Sequence, residues 1–226
     1  MTGRCQADER RTAYDRAMNR YARAERRSLA DLMRQLGPDA PTLCTGWTTR
    51  DLAAHLVVRE RRPDAAAGLV VPPLRGHGER VRAGTAGGDY AALLDRVGNP
   101  PWWSPISNPL LDEPVNGMEF FIHHEDVRRA RPGWEPRRLP AEQEAALWRR
   151  AAGVARLALR RFRADVLLQA PGYGEKRAGA GGPGVRVIGA PGELVMFLSG
   201  RQRAARVQVD GPPEVAEKLR SARLGL

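Results

Sequence analysis

The sequence predicts an α+β protein, with a helical bundle over residues 1–164 and a small α/β unit over 165–226. Three observations carry this expectation. Apolar residues recur at steps of three and four through much of the first 164 residues, the spacing of one helix face. After residue 164 the pattern changes to short β-rich runs, ADVLLQA, GVRVIG and ARVQVDG. Gly/Pro-rich breaks fall between the segments, where helices must stop. No internal repeat is present.

The first helix spans 8–36, with Tyr14, Met18, Tyr21, Leu29, Leu32, Met33 and Leu36 as its apolar stripe. Gly37-Pro38 stops it, because Gly suits the left-handed position past a helix end and Pro cannot continue the ladder. A second helix starts near Thr48, which with Asp51 forms a capping-box pattern. Leu52, His55, Leu56 and Arg59 share one of its faces, and Pro63 ends or kinks it. Residues 64–88 read as a Gly/Pro-rich loop, followed by a short helix over 89–97. The prolines of GNPPWWSPISNP exclude regular helix. Trp102 and Trp103 within it either line a pocket or cap the bundle. A third main helix runs from Pro114, suited to the first helical position, to Arg129. A fourth runs from Pro140 to Phe162, with Leu147, Trp148, Ala151, Val154, Ala155, Ala158 and Phe162 as its stripe. Beyond it lie a strand at ADVLLQA and a flexible hairpin or loop at GYGEKRAGAGGPG. GVRVIG and ARVQVDG are further β runs, separated by a helix in PGELVMFLSG that Gly200 ends. PPEVAEKLRSA forms a last helix.

The chain has 226 residues, 42% of them hydrophobic, so it can bury a real core. No apolar run reaches membrane-spanning length, and no secretory leader is visible. Cys5 and Cys44 make no disulfide framework, so the expected setting is cytoplasmic. The formal charge is +11, carried almost wholly by arginine, since Lys176 and Lys218 are the only lysines. The arginines spread along the chain instead of forming one tail. Nucleic acid is therefore not the expected partner, and no zinc-finger, RRM or basic-zipper pattern is present.

The chemistry concentrates in GMEFFIHHEDVRRA, residues 117–130. Glu119 and His123 are four apart, so a helix places both side chains on one face. A carboxylate oxygen and an imidazole nitrogen so placed can bind one ion at about 2 Å each. His124 is rotated by about 100° from His123 and leaves that face for an outer-layer or surface position. His55, on the apolar side of the second helix, would be a third ligand. Three protein ligands leave the open position of a catalytic metal site. The alternative from spacing alone is a hydrogen-bonded pair and a buried core histidine. Cys44 reads as a small buried hydrophobe before a reactive thiol. His77, in LRGHGER, reads as solvated. The glycines at 179, 181, 182 and 184 read as a mobile loop and not a nucleotide-binding turn.

GWTTRDLAAHL, then MEFFIHHEDVRR, then PGELVMFLSGR together resemble the mycothiol-dependent maleylpyruvate isomerase family, within the wider DinB-like group of metal-binding bundles. DLAAHLVVRERRP with HHEDVRRARPGWEPR is similar to a subfamily whose substrate the resemblance does not give. The resemblance implies a DinB-like four-helix bundle followed by a small sterol-carrier-like domain. It implies a divalent metal, usually zinc, on His55, Glu119 and His123, and an arginine toward an anionic substrate, best matched by Arg201. The function so implied is a metal-dependent, mycothiol-dependent isomerase or S-transferase with a small electrophilic substrate. A thiol-independent reaction on the same metal, or a non-catalytic module for an anionic partner, are the alternatives.

Overall fold

Strong stops and helical periodicity divide the described chain into short helices and one small sheet. The structure, a computed structural model, describes residues 21–66, 68, 71–101, 103–104, 116–179 and 181–225. It forms two compact units, Met1–Trp134 and Glu135–Leu226. Among the described residues no helix is long and apolar enough to cross a membrane.

In the first unit, helix α1 covers 21–36 of the described residues. Tyr14 and Met18 lie outside them. Gly37 ends α1 at φ 81°, with its N–H bonded to the Met33 carbonyl at 3.1 Å. Helix α2 (Thr49–Arg61) opens on the expected capping box, the Thr48 N–H donating to Asp51 Oδ2 at 3.0 Å. The segment expected as a loop over 64–88 is instead largely helical, as α3 (Pro63–Ala66), a 3₁₀ turn (Pro72–Leu74) and α4 (Arg75–Ala86). Its prolines sit at helix starts, where they do no harm. Two of its glycines serve packing: a Cβ would lie 2.6 Å from the Leu74 carbonyl oxygen at Gly68 and 2.9 Å from the Ala65 carbonyl oxygen at Gly78. Helix α5 (Tyr90–Gly98) follows, capped by Asp89. Helix α6 (Met118–Arg129) begins after a wide π-type turn at 116–117, and Pro114 lies outside the described residues. Leu29 and Met33 of α1, Leu52 and Leu56 of α2, Leu93 and Val97 of α5 and Phe120 and Val127 of α6 share one core.

In the second unit, α7 (Ala141–Ala158) turns its stripe of Trp148, Ala151 and Ala155 onto a sheet. The strands are β1 (Asp165–Ala170), β2 (Gly174–Gly179), β3 (Gly184–Ile188) and β4 (Gln208–Asp210), in the order β2-β1-β3-β4. Val166, Leu168, Val185 and Val187 alternate with exposed or half-buried residues and enter the same core. The fourth expected helix thus shares its core with the sheet, and the division between units falls ahead of it. Helix α8 (Pro191–Leu198) is buried along its whole length, and Gly200 follows it at φ 88°. Helix α9 (Pro213–Ser221) adds Ala216 and Leu219 to the core.

The glycine-rich stretch has a structural reason. Strands β2 and β3 both pair with β1, with Gly179 and Gly184 each opposite Asp165. The connection must therefore pass the start of β1 closely. Gly179, at φ 105°, comes so near that a Cβ would lie 2.0 Å from the Ala164 carbonyl oxygen. The hairpin arm expected as flexible is strand β2, and Gly179 makes a tight crossing at its end.

Candidate metal centre

Helices α2 and α6 bring together the three residues that the spacing singles out. His55 and His123 are buried and Glu119 is half-buried. Glu119 Oε1 lies 3.3 Å from His55 Nε2 and 3.2 Å from His123 Nε2. The imidazole rings meet edge to face, centroids 5.3 Å apart. One ligand atom from each of the three lies within 4.8 Å of the others. Two atoms bound at about 2.0–2.1 Å to a tetrahedral ion are roughly 3.3 Å apart, so the observed separations fit a shared ion. They fit N–H···O bonds equally well. The donor set itself, two imidazole nitrogens and a carboxylate oxygen, is one that zinc accepts.

The electrostatics distinguish the two histidines. Burial pushes the His55 pKa down, only partly offset by Glu119. Burial acts the same way on His123, but hydrogen bonds with Asp126, Cys44 and Glu119 outweigh it and hold its pKa well above the usual value. Burial would raise the Glu119 pKa, yet the two imidazoles hold it well below the carboxylate range. A ligating imidazole must offer a bare nitrogen, so metal uptake is expected to expel a proton from His123. Because its pKa is raised, that proton still competes above pH 6.5, where an ordinary histidine is already bare. Zinc affinity of chelator-treated protein is then expected to go on rising with pH above about 6.5, by no more than about tenfold per pH unit. A flat profile over that range would rule out this protonation pattern.

Around the trio stand residues that spacing alone did not assign. His123 Nδ1 lies 2.9 Å from Oδ2 of the fully buried Asp126. A carboxylate there fixes the tautomer and aims Nε2 at the other two residues. Asp126 is three residues past His123 on α6, a helical neighbour whose sequence signal was visible only as proximity on the wheel. Cys44, half-buried, places Sγ 3.3 Å from the same Oδ2. Arg59, one turn past His55, has Nε 3.6 Å from Glu119 Oε1 and donates from Nη1 to Asn116 Oδ1 at 2.5 Å. The Trp47 ring lies 5.2 Å from that of His55, and the Arg82 guanidinium lies over Trp47 at 4.8 Å. Asp51, the α2 cap, holds Arg82 at 2.6 Å.

The other singled-out residues fall elsewhere. Arg201 is in the second unit, half-buried after α8, and donates from Nη1 to the Ser199 carbonyl at 2.5 Å. His124 does leave the trio, but for the interior: its Nδ1 lies 2.6 Å from Oε2 of Glu25, and both residues are buried. His77 is half-buried on α4, its side chain 39% exposed and paired with Asp64 at 3.0 Å. Trp102 lies outside the described residues, and Trp103 is 49% exposed.

No family model matches the chain, and no curated protein matches it. Among solved structures, the crystal structure of the mycothiol-dependent maleylpyruvate isomerase superposes with a TM-score of 0.58 at 18% identity, over 87% of this chain and 92% of that one. A histidine-to-alanine mutant of that enzyme superposes with the same TM-score and coverage at 17% identity. At these identities the likeness is one of fold, and it spans both units.

Proposed function

We propose that this protein is a metal-dependent enzyme that uses a low-molecular-weight thiol, such as mycothiol, on a small electrophilic substrate bearing a carboxylate. The observation that carries the reading is the His55–Glu119–His123 trio, with its 3.2 and 3.3 Å separations, on a fold shared with a mycothiol-dependent isomerase. In this reading His55 and His123 offer Nε2, and Glu119 offers Oε1, to a divalent ion, zinc by donor type. A bound divalent ion supplies Lewis acidity, which favours deprotonation of a coordinated thiol. Asp126 keeps the His123 Nδ1 proton in place and so aims Nε2. Arg201 is assigned to the substrate carboxylate, which a planar guanidinium suits. Addition to a conjugated double bond, rotation about the new single bond and elimination would isomerise a substrate. Addition alone would be S-transfer. A DinB-like bundle, a sterol-carrier-like second domain and a cytoplasmic setting belong to the same reading.

The test begins with elemental analysis of protein purified without chelators. Close to one divalent ion per chain is expected, and a protein that neither carries nor takes up such an ion sinks the enzyme reading. Mass spectrometry of thiol adducts then follows a panel of electrophiles with mycothiol, with and without protein. Metal without any acceleration would favour a thiol-independent reaction. Arg201→Ala is expected to raise KM for carboxylate-bearing electrophiles by about tenfold or more, the loss of a charge-assisted hydrogen bond of roughly 1.5–3 kcal/mol. Its metal content should not change.

A further inference from the structure

We propose that Cys44 is a positioning residue for the metal trio, holding His123 both through Asp126 and by its own hydrogen bond with the ring. The proposal rests on the metal reading above. Cys44 touches neither Glu119 nor His55 in any described contact. Its sulfur lies 3.3 Å from Asp126 Oδ2, the oxygen that also accepts from His123 Nδ1 at 2.9 Å. Two donors, one S–H and one N–H, therefore converge on a single oxygen of a carboxylate that is 0% exposed. A buried carboxylate is held where its donors place it. The direction of His123 Nε2, the trio's ligand atom, is set by that carboxylate at the far side of the ring.

The sulfur is itself held in place. The loop carrying it docks on α6 through the Leu43 N–H, which donates to the Asp126 carbonyl at 3.0 Å. The Thr42 hydroxyl accepts from the Cys44 N–H at 3.2 Å and donates to the Trp47 carbonyl at 2.9 Å. Trp47 in turn lies against His55. One short loop, 42–47, thus reaches both histidines of the trio, His123 through the Cys44 thiol and Asp126 and His55 by ring contact. An apolar filler would need no carboxylate beside it. A thiol that ligates the metal directly is the competing possibility, since one ligand atom each of Cys44, His123 and Asp126 lie within 4.8 Å of one another. That arrangement would take Nδ1 from Asp126, and the observed 2.9 Å bond speaks for the relay.

The test uses the full chain, stripped with a chelator and titrated with Zn²⁺ against a chromogenic competitor. Cys44→Ala is expected to weaken zinc binding by about 10–100-fold, the range for loss of an outer partner of a ligating histidine. Cys44→Ser, which keeps a donor, is expected to recover most of that loss. Should Cys44→Ala fail to fold, Cys44→Thr against Cys44→Val makes the same comparison, since these differ chiefly by a hydroxyl. Melting of the stripped proteins separates general damage from an effect on metal. Cobalt-loaded wild type should show no sulfur-to-cobalt charge-transfer band, and its d–d spectrum should change in the alanine variant and return in the serine one. Wild-type affinity in Cys44→Ala, equal losses in Ser and Ala, or a sulfur-to-cobalt band would each overturn the proposal. A wild type that binds neither zinc nor cobalt would instead overturn the metal reading beneath it.

Discussion

Replacing His55 with alanine is expected to abolish stoichiometric metal binding while leaving the chain folded. The affinity loss should exceed the roughly 10–100-fold that removal of an outer partner causes, because a ligand atom itself is lost. Two protein ligands would remain, Glu119 and His123, both from α6. The trio depends on α2 for its third member, so the substitution separates an interhelical site from a local pair on one helix. The fold should tolerate the change. The ring is buried and lies 5.2 Å from Trp47, but its one described hydrogen bond is the shared contact with Glu119, which keeps His123 and Arg59 beside it. Metal analysis and calorimetry on the same sample read the two halves of the prediction. Wild-type zinc affinity in a folded His55→Ala protein would show that Glu119 and His123 form no site with α2, and thiol-dependent activity assigned to the trio would fall with it.

How much of this site could be read in the sequence follows from distance along the chain. The Glu119–His123 pair is a single-helix feature, fixed once the helix is assigned. The Thr48–Asp51 box likewise forms within one turn and stands as expected. The stripe of Leu52 and Leu56 puts His55 on the buried side of α2, but spacing left it a ligand or a core histidine, and only the family resemblance named it as the third ligand. The Cys44–Asp126 contact joins residues 82 apart and depends on how a loop docks, which no periodicity records. The His124–Glu25 pair, 99 residues apart, was hidden for the same reason. Angle alone removed His124 from the trio correctly, but it could not say that the new surroundings were buried.

Misreadings of the fold have equally specific causes. An amphipathic stripe says that a helix has a buried side, not which core receives it. Trp148, Ala151 and Ala155 would suit a bundle or a sheet, and the structure places them on the sheet. Glycine and proline counts made 64–88 look like loop, although Gly78 is small to let α4 approach the Ala65 carbonyl. Gly179 marks a backbone crossing at Ala164, a feature of strand order. In each case local composition was read without the neighbour that explains it.

Truncating Glu60 to alanine is expected to destabilise the first unit by about 3–5 kcal/mol, the cost of leaving a buried charge without its partner. Arg26 and Glu60 form a two-pronged pair, one contact at 2.8 Å, with side chains only 3% and 2% exposed. Arg26 also donates to the Val97 carbonyl at 2.9 Å and lies 4.1 Å from the centre of the Phe120 ring. Without Glu60 the guanidinium would stay buried among these groups and lose the counter-charge that its two prongs bind. At about 2–4 °C per kcal/mol for a chain this long, the melting midpoint should fall by roughly 6–20 °C. Replacing both partners with apolar residues, Arg26→Met with Glu60→Leu, is expected to return most of the stability, since both desolvation penalties then vanish. A Glu60→Ala loss under about 1 kcal/mol would mean that the pair behaves as an exposed one. Zinc affinity measured below the melting transition should change little, because the pair's described contacts run to Val97 and the Phe120 ring. His55→Ala and Glu60→Ala should therefore act on different observables in the same unit, and the double variant should show both losses near their separate sizes. Marked non-additivity in metal affinity would trace to Phe120, which packs under Arg26 and directly follows Glu119 on α6.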